Sequence, residues 1–514
     1  MYKYTDLQSI QMASFTTIYA CYRACRRRKR RTVNALLFEV DLEQHIVQLS
    51  HDLLAGTYTP RPALAFMLYK PKQREIFAAD FRDRIVHHVL VAELEPVWEK
   101  RFIYDSYACR KAKGNLAAAK RLQVFTRQAT ANNIKPAYYL QLDIASYFTA
   151  INRDILYARL CTTTKHPLLQ ELMHKIIYQN ITQDCRIKGS RRADFMALPA
   201  RKTLFKAPPH KGLPIGNLTS QFFGNVYLDA LDQFIKHELK ARWYVRYCDD
   251  FVLLSHSKQQ LAGWLQSIAM FLNTELELTL RSDHKLALIS SGIDFLGYII
   301  RPTHLIVRRR VAHSLDTLLF THQQSLVQAG YRHDAAGNLA LPYDTQLVAK
   351  LVASLNAYHG HLLHAASHRL QSRLWQRYRW LVHYVVQSDS GVFSPRYPAW
   401  NPAQTLGRQI DMARYRFPDC VVLVQIGNWW LVLAPVDSSH GVRQRRMIHA
   451  AQVDNFARSR QLRGQSVACI AQTDQRITSI YDRQLSVLYL LDAKLAALAV
   501  LPASIVPGTQ LRLL

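Results

Sequence analysis

Two adjacent aspartates, Asp249 and Asp250, lie in the middle of the otherwise apolar stretch YVRYCDDFVLL, residues 244–254. The apolar residues on both sides predict two buried strands joined by a tight turn. Buried carboxylates repel one another, and each is costly to desolvate unless a cation binds beside it. A capping or turn aspartate would explain one of these acids, but the pair predicts a cation site.

A third carboxylate, Asp143, ends an apolar, strand-like stretch at residues 138–142. It precedes the aspartate pair by about a hundred residues, and acids at the ends of two strands can converge on one edge of a sheet. Carboxylate oxygens suit Mg²⁺, which binds proteins through a few carboxylates together with substrate phosphates. We therefore expect two divalent ions, about 3.5–4 Å apart, that support in-line phosphoryl transfer.

The chain is strongly basic, because its 66 Lys and Arg residues exceed its 37 Asp and Glu residues by 29. Such an excess predicts a polyanionic partner, since every phosphate contact releases counterions. The length of 514 residues and the apolar content of 49% indicate about three domains. The eight cysteines show neither disulfide nor zinc spacing. We see no targeting segment in residues 1–30 and no membrane span, so a cytoplasmic location without a membrane partner is expected.

Two motifs around the acids resemble those of reverse transcriptases: YCDD at residues 247–250 and LDIASYF at residues 142–148. The resemblance covers most of residues 15–385. It implies an α+β right-hand polymerase fold with fingers, an antiparallel palm sheet and a thumb. It also implies an RNA-directed DNA polymerase that uses dNTPs, template RNA, a primer and cDNA. On the family's pattern, Asp143 and Asp249 ligate two Mg²⁺ ions, for which Mn²⁺ can substitute, the Ile144 carbonyl assists, and Asp250 completes the cluster.

The same resemblance implies a site for the incoming nucleotide. Phe148, five residues after Asp143, takes the position of the gate that excludes a ribose 2′-hydroxyl, although it could be an ordinary core residue. Lys72 and Arg74 in YKPKQREI would alternate on one strand face and hold the triphosphate, unless that face is merely solvated. Lys285 takes the place of a lysine that protonates pyrophosphate, and an isolated surface lysine is the alternative.

The stretch GLPIGNLTSQFFGNVYLDAL points to a subgroup. Ile215 stands where most reverse transcriptases have Gln, and Gln221 follows Ser220 where they have Pro. This form resembles the enzymes of diversity-generating retroelements, which copy a template RNA with errors opposite adenine. A phage-defence or retron-type enzyme is the alternative, and a catalytically dead nucleic-acid-binding scaffold or a group II intron maturase is less expected. An accessory protein subunit is a further possible partner.

Basic residues in two segments are candidates for contacts with nucleic acid. The run CRRRKRR supplies Arg27, Arg28 and Arg30, and the segment SYACRKAKGN supplies Arg110 and Lys113. Each set would contact backbone phosphates. The alternative for the first is a solvated helix face.

The chain divides by composition into an N-terminal and fingers region (1–130), a palm (131–303), a helical thumb (304–386), a linker (387–402) and an accessory domain (403–514). We expect a basic loop at 183–212, a strand–turn–strand region after the acidic hairpin, and helices in the last fifty residues. The accessory domain, expected to be small and α/β, faintly resembles the N-terminal domain of MutS proteins. Trp429 takes the stacking position of that domain and Leu431 replaces its Glu.

Overall fold

The computed structural model describes residues 2–27, 32–69, 72–328, 332–333 and 339–396, followed by 407, 410, 420–426, 428–433, 445–449, 466–473, 476–482 and 487–490. The chain divides into two compact units, Met1–His304 and Leu305–Leu514. The division falls beside the predicted end of the palm at residue 303. The names given to the sequence regions stay predictions.

The first unit is rich in helices, and many of them begin at a residue whose side chain accepts a bond from the first turn. Ser14, for example, accepts from the amide of Thr17 at 3.2 Å. The helices are α1 (Leu7–Met12), α2 (Phe15–Arg26), α3 (Val33–Val40), α4 (Leu42–Ala55), α5 (Phe81–Arg101), α6 (Asn115–Ala129), α7 (Tyr147–Ala150), α8 (Arg153–Cys161), α9 (Pro167–Ile177), α10 (Arg192–Met196), α11 (Leu218–Gln233) and α12 (Lys258–Leu276).

The strands of this unit form short, mostly antiparallel sheets. They are β1 (Ala63–Leu68), β2 (Arg74–Ala78), β3 (Tyr138–Asp143), β4 (Cys185–Ile187), β5 (Trp243–Tyr247), β6 (Asp250–Ser255), β7 (Lys285–Leu288), β8 (Ile293–Phe295) and β9 (Tyr298–Ile300). One sheet has four strands in the order β5-β6-β3-β7, all of them antiparallel. This confirms the two strands expected around the aspartate pair and the strand that leads to Asp143.

The four-stranded sheet is held by a core on one of its faces. Leu140, Leu142, Phe251 and Leu253 alternate onto this face and are buried in the main hydrophobic core together with residues of α11 and α12. Side chains alternate along a strand, so the acids at the ends of β3 and β6 are presented on the opposite face. The helix α12 was missed in the sequence, where only strands and turns were expected after the acidic hairpin.

A second sheet, here called the hairpin sheet, has the order β2-β1-β4. Strands β1 and β2 are antiparallel, and β4 pairs with β1 in parallel. The stretch FMLYKPKQREI, where a pair of strands is expected to bind the triphosphate, therefore contributes residues 66–68 to β1 and residues 74–76 to β2. The expected loop at 183–212 is also more ordered than predicted, because it contains β4 and α10 and packs a small core of its own around Phe77, Phe195 and Leu204.

The second unit contains β10 (Leu305–Val307), α13 (Arg309–Gln323), β11 (Arg332–His333), β12 (Leu339–Pro342), α14 (Thr345–Leu362), α15 (His368–Arg377), β13 (Val385–Gln387) and β14 (Phe393–Pro395). The helices confirm the helical character expected for residues 305–385. The predicted linker at 387–402 is wrong at its start. Strands β13 and β14 form a hairpin there, and Asn356 of α14 donates to the carbonyl of Phe393 at 2.8 Å.

The remaining strands are β15 (Cys420–Ile426), β16 (Trp429–Leu433), β17 (Arg445–His449), β18 (Ser466–Thr473), β19 (Arg476–Asp482) and β20 (Val487–Leu490). They join one sheet in the order β11-β12-β20-β19-β18-β15-β16-β17. The expectation of helices in the last fifty residues is wrong for 466–490, where the described residues are strands. The sheet also unites strands from the predicted thumb and accessory domain.

The two tryptophans of β16 have opposite environments, as alternation along a strand requires. Trp430 is buried, whereas Trp429 is 47% exposed and meets the ring of His449 edge to face at 5.1 Å. The resemblance of this region to MutS stays a prediction. Among the described helices of the chain, none combines the length and apolar character needed to cross a membrane.

Candidate active site

The three acids predicted from the sequence are brought together at one end of the four-stranded sheet. Asp143 and Asp250 are directly opposite one another in the antiparallel pairing of β3 and β6. Asp249 lies in the turn between β5 and β6, and its carbonyl accepts from the amide of Ile144 at 3.2 Å. The register of two strands therefore places residues that are a hundred positions apart in one cluster.

A buried arginine, Arg246, holds the turn that carries Asp249. Cys248 has a positive φ of 57°, and its carbonyl accepts from Nη1 of Arg246 at 3.0 Å. Two other nitrogens of the same guanidinium bind both oxygens of Asp232 on α11, at 2.8 and 2.6 Å, and both side chains are fully buried. The hydroxyl of Tyr244 donates to the same carboxylate at 2.7 Å. This network fixes the backbone just before the aspartate pair.

Burial raises the pKa values of all three acids, and repulsion between carboxylates adds to the effect at Asp143 and Asp250. Burial, followed by repulsion from Asp249, raises the pKa of Asp143 to about 6. Burial also raises the pKa of Asp249, and it raises that of Asp250 to about 7, with repulsion from Asp143 and Asp249 adding to the effect. Without a cation, the cluster therefore holds protons at a pH at which ordinary carboxyls are ionised. A divalent cation would remove that penalty.

Neighbouring groups orient the acids. Gln141, two residues before Asp143 on the same face of β3, donates to Oδ1 of Asp250 at 3.2 Å and to the carbonyl of Asp294 at 3.0 Å. Arg281 lies on the other side, with Nη1 at 3.4 Å from Oδ2 of Asp143. That arginine side chain is 46% exposed, so a bound cation can replace it at little cost.

The chemistry of the donors fits divalent cations with oxygen ligands. The three carboxylates are the hard ligands that Mg²⁺ prefers. Ile144 pairs with Leu280 in an isolated β-bridge next to Asp143. The hydrogen bonds of this bridge use the carbonyl of Asp143 and the amide of Ala145, and they do not use the carbonyl of Ile144. Within the described part of the chain, no group of three or more Asp, Glu, His or Cys side chains is arranged to hold a metal ion by itself. An open site of this kind would need substrate oxygens to complete the coordination.

The predicted triphosphate residues lie beside the acids, although one of them is not on a strand. Arg74 is the first residue of β2, whereas Lys72 lies in the bend before it, so the expected alternation of the two on one strand face is wrong. Both are exposed. The positive charge of Lys72 offsets part of the rise in the pKa of Asp143, and that of Arg74 offsets part of the rise in the pKa of Asp249. Both cations thus act on the cluster from the hairpin.

Phe148 lies on α7, one turn beyond β3, and is half-buried. Its ring contacts Gly224 of α11, where an added Cβ would come to 3.6 Å from the ring. Its carbonyl accepts from the amide of Leu213 at 2.7 Å. The ring of Phe148 therefore extends from α7 toward α11, a few residues after Asp143 at the end of β3.

The PIGN segment connects the site to the hairpin sheet. The carbonyl of half-buried Ile215 accepts from the amide of Phe77 on β2 at 2.9 Å. Gly216 has a φ of 127°, and a Cβ there would lie 2.8 Å from the Phe77 carbonyl, so only glycine fits. Gln221 is exposed on the first turn of α11. Ile215 is thus close to the strand that carries Arg74.

Lys285 lies on β7 opposite Gln141 of β3, on the face that carries the acids. Its ammonium is 5.6 Å from the ring centroid of Tyr139, which is further from the acid end of the strand. This position neither requires nor contradicts a proton-donating role, which stays a prediction.

The predicted nucleic-acid contact of Arg110 is not supported by its surroundings. Its guanidinium binds both oxygens of Glu99 and the carbonyls of Ile103 and Ser106, and its side chain is only 6% exposed. All of these partners are within the protein, so we correct its role to a structural one. Lys113 is also engaged, because its ammonium donates to the Tyr104 carbonyl at 2.8 Å and lies over that ring at 3.4 Å.

The basic run near the N-terminus is described only in part. Arg27 is exposed and caps the C-terminal end of α2. Arg28 and Arg30 lie outside the described residues. The predicted phosphate contacts of all three stay predictions.

Three residues of the site were missed in the sequence: Gln141, Arg246 and Arg281. Gln141 could have been found, because it lies two residues from Asp143 and so shares its face of the strand. Arg246 could have been marked as a charge among buried apolar residues, which requires a partner. Its partner, Asp232, is identified only by the fold. No local signal marks Arg281.

Comparisons with known proteins support a reverse transcriptase domain that includes these residues. Residues 69–300 match the family model of reverse transcriptase (RNA-dependent DNA polymerase). Protein YkfC of Escherichia coli (strain K12) is 24% identical over 355 residues, which is 62% of this chain and 85% of YkfC. The group II intron-encoded protein LtrA of Lactococcus lactis subsp. cremoris is 20% identical over 325 residues, and the match spans 50% of each chain.

Among solved structures, telomerase from Candida albicans, in complex with the TWJ fragment of telomeric RNA, overlaps with 70% of this chain and 58% of its own. The TM-score is 0.37 and the identity 10%. The mixed α+β architecture with its antiparallel acid-bearing sheet is consistent with the right-hand polymerase fold predicted from the sequence. Residues 69–300 thus match a reverse transcriptase domain, and the family match supports RNA-directed DNA polymerase activity.

Proposed function

We propose that Asp143, Asp249 and Asp250 hold two Mg²⁺ ions and that the chain extends a DNA primer on an RNA template. The observation that carries this proposal is the convergence of three carboxylates with raised pKa values at one sheet edge. The Ile144 carbonyl is a further ligand. When bound, the ions lower the pKa of the primer 3′-hydroxyl and offset the charge of the leaving pyrophosphate.

The chain's own residues then bind and orient the nucleotide. Lys72 and Arg74 neutralise the triphosphate beside the acids, and Lys285 serves the leaving group. Phe148 closes the space beneath the sugar, so dNTPs are favoured over ribonucleotides. Arg246 keeps the turn of Asp249 in place through the carbonyl of Cys248, which makes it a positioning residue.

A finer proposal concerns what is copied. The form of PIGNLTSQ supports a polymerase of the diversity-generating type, in which Ile215 offers an apolar contact where an oriented amide would otherwise check the new base pair. Loss of such a contact weakens discrimination between correct and incorrect base pairs, because this selectivity depends on differential binding in the transition state. It does not explain why adenine would be singled out. A retron-type or phage-defence enzyme with the same site is the alternative, and an accessory subunit could serve either.

The test is the substitution Asp249→Asn, with Asp184→Asn as a matched change of an exposed acid. Extension of a DNA primer on an RNA template should fall by at least about 1,000-fold in the first variant, because a metal ligand is lost. RNA binding should be nearly unchanged in both. Retained extension by Asp249→Asn would reject the assignment of the site.

A further inference from the structure

The two faces of the hairpin sheet differ in character. Strand register places Glu75 and Phe77 of β2, Ala65 of β1 and Ile187 of β4 on the face that covers the small core. The opposite face carries the intervening residues of each strand. These are Arg74, Ile76 and Ala78 of β2, Leu64, Phe66 and Leu68 of β1, and Arg186 of β4, with Lys188 continuing the alternation.

This second face is partly exposed and has cations along both of its edges. Its covered part is Ala78, which is buried, and Ile76, which lies against Gly216. Arg74, Arg186 and Lys188 are exposed, Leu68 is 45% exposed and Phe66 is half-buried. Positive charges therefore flank a central strip with an aromatic ring and an aliphatic side chain. Such a combination suits a single nucleic-acid strand, whose phosphates meet the cations while its bases stack on apolar surface.

Strand β4 belongs to a segment that is unusually basic. Residues 183–207 contain two acids, Asp184 and Asp194, and seven cations, namely Arg186, Lys188, Arg191, Arg192, Arg201, Lys202 and Lys206. A solvated surface could carry these charges without any partner. The alternation of Arg186 and Lys188 onto the same sheet face as Arg74 is what favours a ligand.

The segment is firmly attached to the hairpin that it extends. The amide of Lys188 donates to the Ala65 carbonyl at 2.9 Å, and the amide of Met67 donates to Ser190 Oγ at 3.2 Å. Behind the sheet, buried Glu75 accepts from Thr203 Oγ1 at 2.7 Å. The cations of β4 are thus held at fixed distances from Arg74. Lys188 and Arg186 are two strands away and two and four residues further along, which makes those distances roughly 12 and 16 Å.

We propose that Arg186 and Lys188 bind the phosphates of single-stranded template RNA just outside the active site, on the 5′ side of the templating base. The proposal rests on the proposed function for the direction of the strand. Arg74 marks the end of the surface next to the active site, because its strand β2 binds the Ile215 carbonyl through the amide of Phe77, and Leu213 of the same segment binds the carbonyl of Phe148. From there the face leads over Leu68 and Phe66 to β4.

The test compares the double variant Arg186→Ala/Lys188→Ala with the control Lys165→Ala/Lys258→Ala. The control removes two exposed lysines outside the hairpin sheet and changes the net charge equally. Each protein is titrated, over a series of salt concentrations, with a primer on an RNA template that has either a 5′ overhang of several nucleotides or none. Addition of dNTPs to the overhanging substrate is measured in parallel, since the substrate without an overhang has no templating base.

For the overhanging template, the double variant should bind at least about 10-fold more weakly. The slope of log K against log salt should decrease by about 1.4, which is roughly 0.7 for each of two single-strand phosphate contacts. The template without an overhang, and the control variant, should behave as the wild type. Equal losses on both templates, equal losses in the control, or no loss at all would overturn the proposal.

Two further measurements separate the role of β4 from a failure of the proposed function and from a loss of stability. If the wild type adds no dNTP to the overhanging substrate, the proposed function fails, whereas the binding titration still decides the role of β4. If the alanine variant is less stable on heating, Arg186→Gln/Lys188→Gln retains the side-chain length without the charge and should show the same loss. Normal binding by that folded glutamine variant would overturn the proposal.

Discussion

Nη1 of Arg246 donates to the carbonyl of Cys248 at 3.0 Å while the rest of the same guanidinium is held by the buried carboxylate of Asp232. An ion pair with no exposure gains little net stability over apolar residues of the same size. Its value here is geometric, because it connects helix α11 to the one turn whose backbone conformation sets the position of Asp249.

We therefore predict that Arg246→Lys lowers kcat by about 10- to 100-fold, since a lysine cannot bind Asp232 with two nitrogens and also reach the carbonyl of Cys248. KM for dNTP should change little, and the Mg²⁺ concentration for half-maximal rate should rise. Arg242→Lys, an exposed change on the same side of the hairpin, is the control. If kcat falls without a shift in Mg²⁺ requirement, the turn is not what Arg246 positions.

Removal of one buried charge should stabilise the metal-free protein. The pKa of Asp250 is raised to about 7 in the fold, so the native state binds more protons than the unfolded state between about pH 4 and 7. Stability contributed by the protonated form is accordingly lost as the pH rises through that window. Asp250→Asn should be more stable by about 2 kcal/mol above pH 7 in EDTA, and the gain should vanish near pH 4.

Thermal unfolding over pH 4–8 measures this difference, with Glu238→Gln as a matched change of an exposed acid. Addition of Mg²⁺ should stabilise the wild type more than Asp250→Asn. A gain that does not depend on pH would show that the carboxyl of Asp250 is not the source.

A smaller residue at position 148 should weaken the choice of sugar. Phe148→Val should raise the ratio of ribonucleotide to dNTP incorporation by roughly 10- to 100-fold, because the ring no longer fills the space beneath the 2′-carbon. Single-nucleotide addition with dNTP or rNTP measures the ratio. Phe320→Val, at an exposed phenylalanine of the second unit, controls for loss of an aromatic ring. An unchanged ratio would place Phe148 in the core only.

Ile215→Gln should reduce misincorporation opposite template adenines by about 2- to 10-fold, the worth of one hydrogen bond. Sequencing of cDNA made on an RNA template of known sequence measures it. The exposed Met196→Gln change in the same region is the control. Error rates equal to the wild type would reject the role assigned to Ile215.

The β13–β14 hairpin should be essential to the second unit. Phe393 is buried, with its ring 5.5 Å from that of Trp375 and 5.9 Å from that of His359. Phe393→Ala should therefore destabilise this unit by about 3 kcal/mol. Val392→Ala, at a neighbour that is 52% exposed, should cost little. Denaturant unfolding of the full chain measures both, and equal effects would mean that the hairpin does not pack as described.

The acid cluster was predictable from the sequence because local rules determine it. An apolar strand that ends in Asp143 and an apolar hairpin around Asp249 leave few ways to arrange the carboxylates. Helix α12 was equally accessible, since Leu261, Ile268, Leu272 and Leu276 follow helical spacing, and this signal was overlooked. The partner of Arg246 was not accessible, because the pairing with Asp232 depends on how α11 packs.

The strands at residues 466–490 show more clearly which features could not be predicted from the sequence. β18 lies beside β15, and β20 beside β12, so their conformation depends on partners far away in the chain. The positions of the Lys72 and Arg110 side chains could not be predicted for the same reason, because they too depend on the fold. A bend displaces Lys72 from its expected strand, and the acceptors that hold Arg110 come from Glu99 and from the backbone of Ile103 and Ser106.

The parallel pairing of β12 with β20 joins residues 339–342 to residues 487–490, about 150 positions later. During synthesis β12 leaves the ribosome long before its partner exists, and at 5–20 residues per second the delay is roughly 7–30 s. For that time one edge of β12 has unpaired amides and carbonyls, which is a hazard for aggregation. The first unit, whose acid-bearing sheet has all its strands by residue 288, can fold meanwhile. Translation speed through residues 343–486 therefore sets how much of the chain reaches its second unit correctly assembled.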